Sequence, residues 1–113
     1  MIEIYHNPRC GTSRKGLQIL EDSGKDFKII KYLDDPLSVE QLQKIIGLLK
    51  IKPIDLVRQK ESIWKEKFKD KKLSDQRLIE LMIKHPKLME RPLVINGEKA
   101  IIGRPPEKIL DIL

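Results

Sequence analysis

The apolar positions in the first third of the chain predict a strand, a helix and a second strand. The run 2–6 ("IEIYH") is short and mostly apolar, which is typical of a strand, and 27–33 ("FKIIKYL") predicts another. Between them, Leu17, Ile19 and Leu20 begin a helical stripe that ends near Gly24. The opening of the chain therefore predicts a β-α-β unit.

The middle of the chain has the spacing of helices. Ser38 and Gln41 form a capping-box signature, Pro53 opens a short helix through Val57, and Ser74 caps a further helix. These helices carry an apolar stripe that comprises Leu42, Ile45, Ile46, Leu49, Leu78, Leu81 and Met82. No linker or repeat separates this helical region from the rest of the chain, so we predict that it is an insertion rather than a second domain.

The end of the chain predicts a hairpin and a final helix. "LVIN" and "KAIIG" are joined by Asn96-Gly97, the strongest short hairpin signal. A helix starting at Pro105 would bury Ile109, Leu110, Ile112 and Leu113. The complete order, β-α-β and then β-β-α, is the thioredoxin-like α/β arrangement. We expect a single domain over 1–113 with a helical insertion at about 36–88.

The amino-acid composition restricts the cellular compartment and the classes of binding partner that we expect. One cysteine among 113 residues excludes an internal disulfide and favours a reducing, cytoplasmic location. No apolar run approaches the ~20 residues of a membrane span, and the features of a signal peptide are missing. The net charge of +6 comes largely from 58–72, where lysines and acids alternate as on a solvated surface. With 4% aromatic residues, a surface for stacking bases is missing, so we expect no nucleic-acid partner. We also expect no membrane partner, and a monomer.

The single cysteine, Cys10, falls where the first strand ends and the first helix begins. A helix N-terminus lowers a thiol pKa, and the backbone amides of Gly11, Thr12 and Ser13 would form an anion site beside it. The alternative is a purely structural role, in which Cys10 packs as a small buried apolar residue. The neighbours of Cys10 in the sequence do not form an apolar packing site. Ser13 stands where a dithiol protein needs a second cysteine, and Gly16 stands where a phosphatase loop needs an arginine. These two residues argue against disulfide cycling within one chain and against a phosphatase loop, and they leave open a nucleophile that acts without a second thiol in its own chain.

The stretch "HNPRCGTSR" resembles the active-site signature of the glutaredoxin-coupled arsenate reductases, and "RPLVI" and "GRPPEKILDIL" resemble later motifs of that family. The resemblance covers essentially the whole chain. It implies that Cys10 attacks arsenate and that His6 helps to keep the cysteine ionised. It further implies a proline next to the site, Pro92, and three arginines that hold the oxyanion, namely Arg58, Arg91 and Arg104. Guanidinium groups suit such an anion because they present a charged fork of donors.

The resemblance also implies the source of the electrons. Arsenate would be reduced to arsenite with glutathione as co-substrate and glutaredoxin as the partner that restores Cys10, with no bound cofactor or metal. Two alternatives stay open at this point: a glutathione-dependent thiol oxidoreductase, and a non-enzymatic regulator similar to Spx that binds RNA polymerase. His85, which precedes Pro86, is assigned to structure.

Overall fold

The computed structural model describes all of residues 1–113 and has the predicted thioredoxin-like order of elements. The strands are β1 (Ile2–Tyr5), β2 (Phe27–Ile30), β3 (Leu93–Asn96) and β4 (Lys99–Ile102). The α-helices are α1 (Gly11–Asp22), α2 (Val39–Leu49) and α3 (Asp75–Lys84). Short helical turns cover Pro53–Leu56, Trp64–Phe68 and Pro86–Leu88, and a 3₁₀ helix covers Pro106–Ile112. No helix combines the length and the apolar character that crossing a membrane requires.

One compact unit comprises 1–35 and 91–113 and contains the whole sheet. The strand order is β2-β1-β3-β4, with β1 parallel to β2 and antiparallel to β3, and with β3 antiparallel to β4. α1 packs against the C-terminal 3₁₀ helix. The core of this unit consists of Ile2, Ile4, Leu20, Val94, Ile109 and Ile112.

The other compact unit is 36–90, and it is helical. The predicted capping box is present, since Ser38 Oγ accepts from the Gln41 N–H and the Gln41 side chain accepts from the Ser38 N–H. Ser74 Oγ likewise accepts from the Arg77 N–H at the start of α3. α2 and α3 pack against each other, and the residues of the predicted apolar stripe are buried except for Leu49, which is half-buried. The interpretation of the chain as one domain with an insertion stays a prediction.

Three details differ from the sequence-based expectation. β2 ends at Ile30 because the Lys31 carbonyl accepts from the N–H groups of Asp34 and Asp35, which closes a turn. The hairpin is confirmed, but its turn is formed by Gly97, at φ +64°, and the residue after it, since Asn96 still belongs to β3. Leu110 is 58% exposed, not buried, because a 3₁₀ helix repeats every three residues and puts Ile109 and Ile112 on one face.

Candidate active site

Cys10 lies at the N-cap of α1, half-buried, where the sequence analysis places it. Asn7 shapes the loop that leads from β1 to this position. Its carbonyl accepts from the Cys10 N–H at 3.0 Å, and its side-chain Oδ1 accepts from the Arg9 N–H at 3.0 Å. The thiol is therefore held at the first turn of α1 by hydrogen bonds within the loop itself.

The environment of Cys10 favours the thiolate. Burial acts first and raises the pKa of the thiol, but four effects oppose it: the Ser13 N–H, the hydrogen bond and the charge of the Arg91 guanidinium, and the Thr12 N–H. Together they lower the pKa of Cys10 below its ordinary value of 9.0. A thiolate is the nucleophilic form of cysteine, so the arrangement prepares Cys10 for attack on an electrophile.

His6 and Ser13 are buried next to each other beneath the loop. His6 Nδ1 lies 2.7 Å from Ser13 Oγ, which also accepts from the Asn7 N–H at 3.0 Å. Burial lowers the pKa of His6, and the positive charges of Lys31 and Arg14 lower it further, although a hydrogen bond to Ser13 opposes them. The neutral form of the His6 imidazole is therefore favoured. Its link to the site runs through Ser13, and its charge is not among the causes that lower the pKa of Cys10.

Two of the three predicted arginines lie together on the sheet-containing unit. Arg91 precedes Pro92 by a cis peptide bond, immediately before β3, and its guanidinium hydrogen-bonds the Cys10 sulfur. Arg104 Nη1 donates to the Arg91 carbonyl oxygen at 3.0 Å, and the Arg104-Pro105 bond is also cis. Arg91 and Arg104 are thus linked directly, although β3 and β4 separate them in the sequence.

Arg58 belongs to the helical unit. Its backbone N–H donates to the Leu88 carbonyl at 2.6 Å, and its Nε lies 3.5 Å from a carboxylate oxygen of Glu61. Its assignment to the anion site stays a prediction. His85 ends α3, and its ring lies 6.2 Å from the ring of Phe68, in keeping with a structural role.

Comparison with known proteins decides the family. The model of the ArsC family matches residues 5–112, which is nearly the whole chain. This chain belongs to the ArsC family.

Relatives of this ArsC-family chain cover almost its full length. The arsenate reductase of Haemophilus influenzae is 44% identical over 97% of both chains. YfgD of Escherichia coli (strain K12), named only as an uncharacterized protein, is 42% identical over 99% of this chain and 96% of its own. Among solved structures, the arsenate reductase from Vibrio cholerae has a TM-score of 0.93 and 43% identity, covering 99% of this chain and 97% of that one.

The sequence analysis of this ArsC-family chain missed two residues at the site. Asn7 organises the loop, and the Asn-Pro pair is a turn signal that could have revealed it. Arg14 folds back so that its Nη1 donates to the Pro8 carbonyl at 3.0 Å. An arginine in the first turn of a helix has many possible partners, so the sequence alone offers no signal for this contact.

Proposed function

We propose that this chain is an arsenate reductase in which the Cys10 thiolate is the nucleophile. The observation that carries the proposal is the pairing of the Cys10 sulfur with the Arg91 guanidinium at the first turn of α1. Relatives that are 38–44% identical over nearly the whole chain and carry the name arsenate reductase support the same activity.

In the first step, arsenate binds as an anion against the backbone N–H groups of Gly11, Thr12 and Ser13. Such amides at a helix N-terminus suit a tetrahedral oxyanion. The Cys10 thiolate attacks arsenic, a sulfur–arsenic bond forms, and one arsenic–oxygen bond breaks. The oxygen leaves as water after it is protonated, and arsenic remains in the +5 state.

The arginines have the role of holding the oxyanion during this step. Arg91 offers a charged donor fork next to the sulfur, and Arg104 is joined to it through the Arg91 carbonyl. Arg58 is proposed as the third member of the set on the strength of the sequence resemblance. Because guanidinium stays protonated at any relevant pH, the site keeps its positive charge when the thiol ionises.

In the second step, the electrons come from outside the chain. A glutathione thiolate attacks the Cys10 sulfur, a sulfur–sulfur bond forms, and the electron pair of the sulfur–arsenic bond stays on arsenic. Arsenic leaves as arsenite in the +3 state. A glutaredoxin thiolate then attacks the glutathione sulfur and releases Cys10. The presence of one cysteine supports this route, because the chain has no second thiol with which to resolve the intermediate.

The proposal extends to the setting in which the protein works. We propose a cytoplasmic monomer that needs no bound cofactor and uses glutathione only as co-substrate. The lone reduced cysteine supports a reducing compartment.

The test is a coupled assay. Arsenate-dependent NADPH oxidation, linked through glutathione reductase, should require this protein, glutathione and glutaredoxin together. Cys10→Ser should abolish the rate, while Ser62→Ala, an exposed serine in the helical unit, should keep it. If the complete mixture gives no arsenate-dependent rate, the proposal fails. A rate with a glutathione mixed disulfide in place of arsenate, in a mixture that holds this protein and glutathione but no glutaredoxin, would then point to a thiol oxidoreductase.

A further inference from the structure

Pro92 is fully buried between two glycines that come from different parts of the sheet-containing unit. A Cβ atom added to Gly16, in α1, would lie 2.9 Å from Pro92 Cγ and 2.9 Å from Ile109 Cδ1. A Cβ atom added to Gly103, just after β4, would lie 2.9 Å from Pro92 Cγ and 3.1 Å from Ile109 Cδ1. Cβ atoms essentially never come within 3.0 Å of another group in this way.

Both positions require glycine because a Cβ atom has no room there, and not because of the backbone conformation. Neither has the positive φ that Gly24 and Gly97 adopt, so an L-residue fits the backbone at each position. The obstacles are the Cδ1 atom of Ile109 and the proline ring, and the ring cannot rotate away as the end of a flexible side chain can. With a methyl group at Gly16, α1 or the segment that carries Pro92 has to move, and with one at Gly103, the segment after β4 or the segment that carries Pro92 has to move.

The two segments that meet at the contact between Gly16 and Pro92 both carry groups that stabilise the Cys10 thiolate. α1 carries Gly16 and also presents the N–H groups of Ser13 and Thr12 to the sulfur. Pro92 follows Arg91, whose guanidinium binds the same sulfur.

Gly103 is connected to the segment that carries Arg91 and Pro92 by a backbone hydrogen bond. Its N–H donates to the Pro92 carbonyl at 2.8 Å, and the next residue, Arg104, donates from Nη1 to the Arg91 carbonyl at 3.0 Å. A displacement at Gly103 therefore reaches the Arg91 segment directly.

We propose that Gly16 and Gly103 are positioning residues that set the approach of Arg91 to the Cys10 thiolate by admitting Pro92 between them. The inference deepens the proposed function, because it rests on Cys10 acting as a thiolate, but its test needs no arsenate. The glycines act through Pro92 and Arg91 and do not touch the reacting atoms.

The test measures thiolate absorbance in the ultraviolet against pH. Gly16→Ala and Gly103→Ala should each raise the midpoint of Cys10 by about one to two pH units, as expected when a hydrogen bond to a charged group is lost. Gly47→Ala is the matched control, because a Cβ added at that exposed position in α2 meets nothing within 4 Å. Its midpoint should equal that of the unmodified protein.

Two further variants separate positioning from a general loss of structure. If Gly16 acts through Arg91, Gly16→Ala should add little to the shift already caused by Arg91→Ala. Ile109→Val removes the Cδ1 atom that both added methyl groups meet, so it should move the midpoint of Gly16→Ala partly back. Folded alanine variants with an unchanged midpoint would overturn the proposal. So would additive shifts with Arg91→Ala, or alanine variants that fail to fold even with Ile109→Val.

Discussion

The Arg91 guanidinium hydrogen-bonds the Cys10 sulfur, although most of the chain separates the two residues in sequence. Two independent structural features therefore stabilise the negative charge on the Cys10 sulfur. The start of α1 supplies backbone N–H groups, and the segment before β3 supplies a permanent positive charge. The thiol pKa is lowered even though burial of Cys10 works against ionisation.

Removing the guanidinium should weaken both the thiolate and the activity. We expect Arg91→Ala to raise the Cys10 midpoint and to lower kcat/KM for arsenate by an amount equivalent to about 1.5–3 kcal/mol, the range for hydrogen bonds to charged groups. Thiolate absorbance and the coupled assay measure the two effects. Arg77→Ala, on the exposed surface of α3, is the control and should change neither. An Arg91→Ala variant with the original midpoint would show that the helix terminus alone ionises Cys10.

His6 should titrate as a buried, neutral imidazole. Burial and the charges of Lys31 and Arg14 lower its pKa, so we expect its ring resonances in NMR to titrate below the ordinary value of 6.5. The same should hold in Cys10→Ser. An imidazolium paired with the thiolate would behave in the opposite way, with a midpoint above 6.5 that falls when the sulfur is replaced.

The stability of the fold should increase with pH across the neutral range. The lowered pKa of Cys10 means that the folded state binds fewer protons than the unfolded state below 9.0. Its contribution is complete above 9.0 and is lost as the pH falls through the folded value. The lowered pKa values of His6 and His85 act in the same direction, with a contribution complete above 6.5 and lost at lower pH.

Denaturant unfolding at a series of pH values measures this dependence. Between about pH 7 and pH 9, the unfolding free energy of the unmodified protein should rise, while that of Cys10→Ser should rise less, since serine does not titrate there. Equal slopes for the two proteins would contradict a lowered thiol pKa.

The capping box of α2 should contribute to stability without affecting the thiol. Ser38→Ala removes the acceptor for the Gln41 N–H, so we expect a loss of about 1 kcal/mol in the free energy of unfolding. The Cys10 midpoint should stay unchanged. Ser38→Asp keeps an acceptor at the cap and should recover most of the stability. A loss in Ser38→Asp as large as in Ser38→Ala would contradict the capping role.

Local features of the fold were predictable from the sequence, and contacts between distant residues were not. The position of Cys10 follows from a short apolar strand and a helix start on either side of it, and the Ser38 cap follows from residue types three apart. The pKa of His6 depends on burial and on Lys31, which no local pattern specifies. The exposure of Leu110 depends on the choice of a 3₁₀ rather than an α-helical repeat, which its apolar neighbours do not determine.

For the arginines, too, the residue types were predictable from the sequence but the contacts between distant residues were not. Their residue type suggests an anion site, and the motifs around Arg91 and Arg104 indicate which ones to consider. The link between these two runs from a side chain to a backbone carbonyl, and it forms only because β3 and β4 pair as a hairpin. The Gly16 and Gly103 contacts with Pro92 are likewise a matter of packing between elements.

A single-turnover experiment without glutaredoxin measures whether Cys10 attacks arsenate and whether an external thiol then releases arsenite. Protein, arsenate and glutathione are mixed, and arsenite and the mass of the Cys10 peptide are measured together. We expect one arsenite for each chain and one glutathione attached to Cys10, both dependent on arsenate. Arsenite formed while Cys10 stays unmodified, or no arsenite at all, would contradict it.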